Sequence, residues 1–242
     1  MSALQESGWG GQVAAFWHVR GTSEQHRVLP DGCMDFVFNL TTGDARLIGA
    51  MTRFELVELS EGVDYFGVRL APAVATTLIA AGAHELTDAD APLAELLPGS
   101  AELVDGILAA GSAQERRRRS IEFLLKAPRM RPADPRVSRA TLSLERSVGA
   151  LCIETLSADL GLSTRHLERL FTTYVGVGPK LFARVVRLQA TVGQLRERDS
   201  TLGERSQARL AATMGYADES HLLREFRTLA GCTPSALSRE RG

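Results

Sequence analysis

The fold is decided by the stretch Leu156-Ser-Ala-Asp-Leu-Gly-Leu-Ser-Thr-Arg-His-Leu-Glu-Arg-Leu-Phe171. This stretch predicts two short helices that meet at a tight turn. Leu156 and Leu160 lie four residues apart, which gives the first helix an apolar stripe. Gly161 can adopt the backbone angles of the turn, and Ser163 is a suitable N-terminal cap for the second helix.

The second predicted helix has an apolar face and a polar face. Its apolar face consists of Leu167, Leu170 and Phe171 at helical spacing. The opposite face is polar and carries Thr164, Arg165, His166, Glu168 and Arg169. This layout is typical of a DNA-binding helix-turn-helix, whose second helix enters the major groove and reads bases with its N-terminal residues.

The same pattern recurs 55 residues later in the chain, from Leu210 to Phe226. A phenylalanine, a glycine and a proline are spaced by five and three residues in both copies: Phe171, Gly176 and Pro179, then Phe226, Gly231 and Pro234. A repeated unit is a more specific signal than a single one. Between the copies, residues 179–195 predict a long helix opened by a proline. If the two recognition helices lie about 34 Å apart, which is about one turn of DNA, one subunit reads two successive major-groove segments.

The first half of the chain predicts a β-rich domain followed by helices. Short apolar and aromatic runs predict strands at 13–19, 34–40, 46–50, 54–59 and 65–70, which suggests a barrel or sandwich. After Pro72, alanine- and leucine-rich segments predict helices at 73–81, 101–110 and 115–126. The predicted fold class is therefore α+β, with an all-α domain of two helix-turn-helix units at the end.

A proline-rich joint and a charge asymmetry divide the chain. Residues 127–135 contain three prolines, and Asp134-Pro135 predicts the start of a helix. We expect a domain at 1–126, a linker at 127–139 and a DNA-binding domain at 140–242. Residues 1–130 hold 11 Lys and Arg against 17 Asp and Glu, whereas residues 131–242 hold 17 against 12. A basic second half favours nucleic acid as its partner, although chance variation explains a difference of this size equally well.

The sequence predicts neither a catalytic nor a metal site. Cys33 lies between two carboxylates, whereas a reactive thiolate needs positive neighbours. The histidines of the first half, at positions 18, 26 and 84, form no closely spaced pair. The aromatic residues of this half are either core or the lining of a small apolar ligand site, and Arg116-Arg-Arg-Arg119 is either a solvated helix face or a DNA patch.

The chain also lacks the usual signals for secretion or membrane insertion. We find no apolar run long enough to span a bilayer, no secretory signal and no disulfide framework. We therefore expect a cytoplasmic protein, associated with the nucleoid when it is bound to DNA.

The tandem motif, its connecting helix and the Phe…Gly-x-x-Pro signature resemble the DNA-binding domain of the AraC/XylS family of bacterial transcription regulators. The resemblance covers residues 140–240. Leu29-Pro-Asp-Gly-Cys-Met-Asp35 and Phe66-Gly-Val-Arg-Leu70 resemble, more weakly, the N-terminal domains of one group of these regulators. Membership implies a cupin-like barrel followed by helices that sense a ligand, dimerise, or do both.

The resemblance also implies which residues contact DNA. In the two recognition helices they are Ser163, Thr164, Arg165, His166 and Arg169, then Glu219, Ser220, His221 and Arg224. On the connecting helix, Arg184 and Arg187 occupy the family's basic positions. They contact phosphate or form intradomain salt bridges, and the sequence leaves both readings open.

Two features depart from the family pattern. The connection between Leu195 and Leu210 is longer than usual, and Asp218 and Glu219 place two acids where the second recognition helix enters the groove. Acids accept hydrogen bonds from cytosine or cap a helix, but they repel phosphate. We therefore predict that the first unit dominates DNA affinity.

The sequence as a whole favours a DNA-binding transcriptional regulator that is not an enzyme and needs no cofactor or metal. The expected partners are double-stranded operator DNA, a small-molecule effector in the N-terminal domain, a second copy of the chain in a homodimer, and RNA polymerase; no membrane partner is expected. Two alternatives stay open. One is a cupin-like enzyme domain tethered to the DNA-binding module, and the other is an N-terminal domain that serves only dimerisation.

Overall fold

The computed structural model describes residues 2–4, 11–22, 25–197 and 204–240. The fold is α+β, with a β-rich N-terminal domain, a set of helices after it and a helical C-terminal domain. The strands are β1 (Ser2–Leu4), β2 (Val13–Arg20), β3 (Gln25–Val28), β4 (Met34–Asn39), β5 (Ala45–Ile48), β6 (Glu55–Glu58), β7 (Asp64–Leu70) and β8 (Asp90–Pro92).

Six strands form an antiparallel sheet in the order β1-β2-β7-β4-β5-β8, and β3 pairs with β6 in a separate ribbon. Side chains alternate along β4, where Met34, Phe36 and Phe38 are buried and the residues between them are half-buried. Phe66 on β7 stacks with Phe16 on β2 at a centroid distance of 6.0 Å. These buried aromatic residues are core, which was one of the two readings of the sequence.

The helices of the N-terminal domain cover the sheet and complete its core. They are α1 (Ala75–Leu78), a 3-10 helix (Ala83–Leu86), α2 (Leu93–Leu96), α3 (Ser100–Ala109) and α4 (Ala113–Lys126). Leu103 and Ile107 of α3 and Leu124 of α4 are buried against the sheet. Within the arginine run of α4, Arg118 pairs with Glu122 and Arg119 with Glu115, in each case four residues apart on the helix.

The C-terminal helices are α5 (Pro135–Arg146), α6 (Ile153–Asp159), α7 (Thr164–Tyr174), α8 (Pro179–Glu197), α9 (Glu204–Thr213), α10 (Glu219–Ala230) and α11 (Pro234–Arg239). Helix α5 begins within the predicted 127–139 linker, at the expected Asp134-Pro135 start, and Asp134 caps it. Part of the long connection between Leu195 and Leu210 lies outside the described residues. Across the described helices, none has the length and apolar content needed to cross a bilayer.

Helix α8 belongs to two hydrophobic cores. Phe182, Ala183 and neighbouring residues pack with the first helix-turn-helix unit, including Leu167 and Phe171. The other end of α8 packs with the second unit through Leu188, Val192 and Leu195. The predicted tandem arrangement around one long helix is therefore confirmed.

Candidate nucleic-acid interface

The first unit has the geometry that its sequence predicts. The chain turns between α6 and α7 at Gly161, whose φ is +66°, a left-handed conformation that suits glycine. The Ser163 hydroxyl accepts a hydrogen bond from the backbone N–H of His166 at 3.2 Å and so caps α7. Leu167 and Phe171 are fully buried on the inner face of α7. This packing fixes which face of α7 points outward.

The predicted DNA-contacting residues of the first unit lie together at the N-terminal end of α7. Ser163, Thr164, Arg165 and Arg169 are exposed, and His166 is half-buried. The exposed guanidinium groups of Arg165 and Arg169 lie about one turn apart on the same helix face. Such a surface can offer hydrogen-bond donors to base edges and positive charge to phosphates.

The second unit repeats this geometry with different capping chemistry. Gly215 has a φ of +72°, close to that of Gly161. The Asp218 carboxylate accepts a hydrogen bond from the backbone N–H of His221 at 2.6 Å and caps α10. Of the two roles proposed for this acid from sequence, capping is therefore the one seen. Its negative charge also suits the positive end of the helix dipole.

His221 takes part in the same turn. Its Nδ1 accepts a hydrogen bond from the backbone N–H of Ala217 at 3.2 Å, and its ring packs edge-on against Tyr216 at 5.5 Å. His221 and Glu219 are half-buried, whereas Ser220 and Arg224 are exposed. The exposed basic group of this recognition helix that matches the prediction is therefore Arg224.

Arg184 and Arg187 form intradomain contacts, which is one of the two roles left open by the sequence. Arg184 Nε donates to Glu225 Oε2 at 2.7 Å, and the Glu225 side chain is only 14% exposed. Arg187 Nη2 donates to the Gly149 carbonyl at 2.6 Å. The Arg187 guanidinium also lies 5.5 Å from the Tyr216 ring centroid. These contacts hold α10 and the α5–α6 connection against α8.

Sequence reasoning missed Glu225 and Tyr216 as partners of these arginines. Glu225 lies three residues after the buried Leu222 on α10, and this spacing could have placed it on the face toward α8. Burial raises the pKa of the Tyr216 phenol, although the nearby Arg187 charge opposes the shift. Tyr216 is buried in the hydrophobic core of the second unit.

In the N-terminal domain, Cys33 lies in an environment that disfavours nucleophilic chemistry. Burial raises the pKa of its thiol well above the ordinary value, and the Asp31 charge raises it further. A thiol of this kind stays protonated and weakly reactive. Among the described residues, no group of three or more His, Cys, Asp or Glu side chains is arranged to hold a metal ion.

Two family models match the chain. A helix-turn-helix domain family matches residues 156–240, which include both units and the long helix between them. A domain of unknown function, DUF6597, matches residues 11–92, the strand-rich part of the N-terminal domain. No curated protein matches the chain.

Several solved structures are also similar to the chain. An AraC-type transcriptional regulator from Chromobacterium violaceum is 23% identical, covers 45% of this chain and 96% of its own, and has a TM-score of 0.38. An apo form of ToxT from Vibrio cholerae is 12% identical over 93% of this chain and 97% of its own, with a TM-score of 0.49. ToxT bound to an unsaturated fatty acid is 10% identical over 92% and 93%, with a TM-score of 0.47.

Proposed function

We propose that the chain is an AraC-type DNA-binding regulator and that α7 and α10 of one subunit read two successive major-groove segments of an operator. The match of residues 156–240 to a helix-turn-helix domain family supports this proposal. The observation that carries this proposal is the repetition of one exposed polar helix end. Both recognition helices begin with a side-chain cap, bury their apolar face and expose an arginine on the outer face. Helix α8 joins the two units through a continuous core.

The two recognition helices contribute differently to binding in this proposal. Among the residues predicted to contact DNA, the first helix exposes Arg165 and Arg169, whereas the second exposes Arg224 and has the exposed Asp218 and the half-buried Glu219 at its start. Each arginine that bridges a guanine contributes about 1–3 kcal/mol of discrimination. The acids lower the local positive potential that attracts phosphate, so the first unit supplies most of the affinity.

A binding signal on the N-terminal domain controls the DNA-binding domain in this proposal. A small-molecule effector stabilises one arrangement of the two domains. The regulator acts on DNA in the cytoplasm as a homodimer, and it contacts RNA polymerase there. The support is physical contact, since side chains of the N-terminal domain hydrogen bond to both helix-turn-helix units. A ligand that binds only one arrangement shifts the population toward it.

Footprinting of the full-length protein on its own promoter region tests the DNA-binding proposal. We expect a protected segment spanning two major-groove segments per subunit, and binding that weakens as salt rises, with a slope of about −0.9 per phosphate contact. The Arg165→Ala variant should lose affinity, and the Arg46→Ala variant in the N-terminal domain serves as the matched arginine control. Salt-insensitive binding, or none in the presence of candidate effectors, would refute the proposal.

Two further measurements test the N-terminal domain. Thermal shifts against a small-molecule panel separate a sensor from a domain that serves only dimerisation, because a ligand of the folded state raises its stability. Metal analysis of the purified protein addresses the enzyme alternative. Stoichiometric bound metal would favour a cupin-like enzyme domain over a sensor.

A further inference from the structure

The N-terminal domain contacts the two helix-turn-helix units at the same position of the repeat. Gly176 follows Phe171 by five residues, and Gly231 follows Phe226 by five. Both glycines have positive φ, +93° and +68°, and both lie just after the C-terminal end of a recognition helix. Each is approached closely by a side chain of the N-terminal domain.

The first contact joins Thr87 to Gly176. The Thr87 hydroxyl donates a hydrogen bond to the Gly176 carbonyl at 2.7 Å. A Cβ atom on Gly176 would lie 3.0 Å from that hydroxyl and 3.2 Å from the Ala83 carbonyl, so a side chain at this position would crowd the N-terminal domain. Two residues before Gly176, the Tyr174 carbonyl accepts a hydrogen bond from the Thr76 hydroxyl at 3.3 Å. The end of α7 is therefore held by the segment from α1 to the 3-10 helix.

The second contact joins Phe54 and Arg27 to the end of α10. The Phe54 ring covers Gly231 so closely that a Cβ atom there would lie 2.2 Å from ring carbons. Arg27 lies over the same ring, with its guanidinium carbon 5.0 Å from the centroid. Arg27 Nη1 donates to the Ala230 carbonyl at 2.9 Å, and its other nitrogens form a two-point pair with Glu240. The Arg27 side chain is only 14% exposed, which strengthens these interactions.

A third contact lies between these two, on the long helix. Gln189 Nε2 donates to the Pro30 carbonyl at 2.7 Å. Gly32, with a φ of +75°, faces Phe182, and a Cβ atom there would lie 2.5 Å from its ring. The three contacts therefore follow the DNA-binding domain from its first unit, along α8, to its second unit.

These contacts leave the predicted DNA-contacting surface free. The first two contacts involve residues at or after the C-terminal ends of α7 and α10, and the third lies on α8. Arg165 lies near the start of α7, Arg169 and Arg224 lie at the middle of α7 and α10, and all three are exposed. A domain that blocked DNA would cover those arginines. A domain that holds both helix ends at once instead fixes the distance and the angle between the two recognition helices.

We infer that the N-terminal domain is a two-point positioning template for DNA reading, with Thr87 and Phe54 as its positioning residues. This inference rests on the proposed function, because it concerns how the two units address one DNA site. Helix α8 packs with both units. The N-terminal domain adds a second connection between them, because it contacts the C-terminal ends of both recognition helices. The spacing of the two major-groove segments is then set by the full-length protein and not by the DNA-binding domain alone.

The test compares the spacing dependence of DNA binding in wild type and in variants of the full chain. A DNA site is selected from a random pool by wild type, and versions with two base pairs inserted between the two protected segments are made. Wild type should lose about 100-fold in affinity on insertion, because one unit loses its base contacts. Phe54→Ala should bind the selected site about tenfold more weakly, equivalent to about 1.4 kcal/mol. The insertion penalty, which is the factor in affinity lost when two base pairs are inserted, should fall to about tenfold in Phe54→Ala, since the freed second unit can move to meet its displaced groove segment.

Controls separate positioning from folding. Leu56→Ala changes an exposed leucine of the same ribbon and should leave both affinity and spacing dependence unchanged. Thr87→Val removes one hydroxyl with little change of shape and should relax spacing from the side of the first unit. A variant that merely unfolds in part loses the same factor on every spacing, because only the active fraction changes.

The outcomes are distinct. A smaller insertion penalty in Phe54→Ala or Thr87→Val, with wild-type melting behaviour, supports the template. An unchanged penalty in both variants, or tighter binding by them, overturns it, because the contacts are then structural or inhibitory. If wild type selects no DNA, the proposed function fails and the template fails with it. The failure of the template alone is therefore recognisable.

Discussion

Replacement of Arg69 by methionine should destabilise the N-terminal domain strongly. Arg69 lies between two carboxylates: Nη1 is 2.8 Å from Asp31, and Nη2 is 3.0 Å from Asp35. The Asp35 side chain is 12% exposed and that of Asp31 is 19% exposed. Methionine keeps much of the apolar stem but removes the charge, so two partly buried acids face each other without a cation.

The burial of Arg69, Asp31 and Asp35 determines how much stability the Arg69→Met substitution removes. Removing one partner of a buried ion pair costs about 3–5 kcal/mol. Because these side chains retain some exposure, the low end applies, and we expect a loss of about 3 kcal/mol in the free energy of unfolding. For a protein of this size, such a loss lowers the melting temperature by about 6–12 °C.

The stability deficit of Arg69→Met depends on pH through the protonation of Asp31. Burial raises the pKa of Asp31, the Arg69 charge lowers it and the Asp35 charge raises it. Without Arg69, the pKa of Asp31 in the folded state rises further above its value in the unfolded state. The folded state then binds more protons than the unfolded state between those two pKa values, so stability falls as pH rises through this window. The deficit of Arg69→Met should therefore shrink on acidification from pH 7.

Urea denaturation of the full-length protein measures both effects. The matched control is Arg46→Met, since Arg46 pairs with Asp90 at an exposed position of the same sheet. An exposed pair contributes less than about 1 kcal/mol. Adding Asp31→Asn to Arg69→Met should restore part of the stability, because one of the opposed charges is removed. The reasoning is refuted if Arg69→Met and Arg46→Met cost the same, or if the deficit grows on acidification.

Three further predictions concern the DNA-binding domain. Arg165→Ala should weaken operator binding by more than Arg224→Ala in a gel-shift titration; equal losses would refute dominance of the first unit. Asp218→Ser should keep α10 capped, because serine is an equally good cap, and should bind DNA more tightly by removing a negative charge; weaker binding with an unchanged melting temperature would contradict this. Arg184→Met should lower the free energy of unfolding by about 1.5–3 kcal/mol through loss of the Glu225 contact while leaving the salt slope of binding unchanged; a slope reduced by about 0.9 would instead identify a phosphate contact.

Local signals predicted most of the secondary structure. Five strands and the long helix are found within a few residues of their predicted bounds, because alternation and helical periodicity are properties of neighbouring residues. The three strands that were missed, β1, β3 and β8, have only three or four residues; β3 has one apolar residue in four, and β8 contains Pro92. The pairing of β3 with β6 and of β8 with β5 joins segments that are about 30 to 45 residues apart in the chain.

The parts of the candidate DNA-contacting surface that depend on neighbouring residues were also predictable from the sequence. The cap at Ser163 and the outward face of α7 follow from adjacent residues. The partners of Arg184 and Arg187 lie about 40 residues away and are brought close only by packing along α8. The contacts of Phe54 with Gly231 and of Thr87 with Gly176 also depend on tertiary structure, so no sequence motif predicts them.

Sharing of α8 between two cores limits how this architecture can change in evolution. Insertion or deletion of one residue between Phe182 and Leu188 would rotate one apolar face by about 100° relative to the other and expose one core. Changes of three or four residues restore the faces and move the second unit by about one turn, or 5.4 Å. The separation of the two recognition helices can therefore change only in discrete steps of helical length, and each step requires matching changes in the ribbon that covers Gly231.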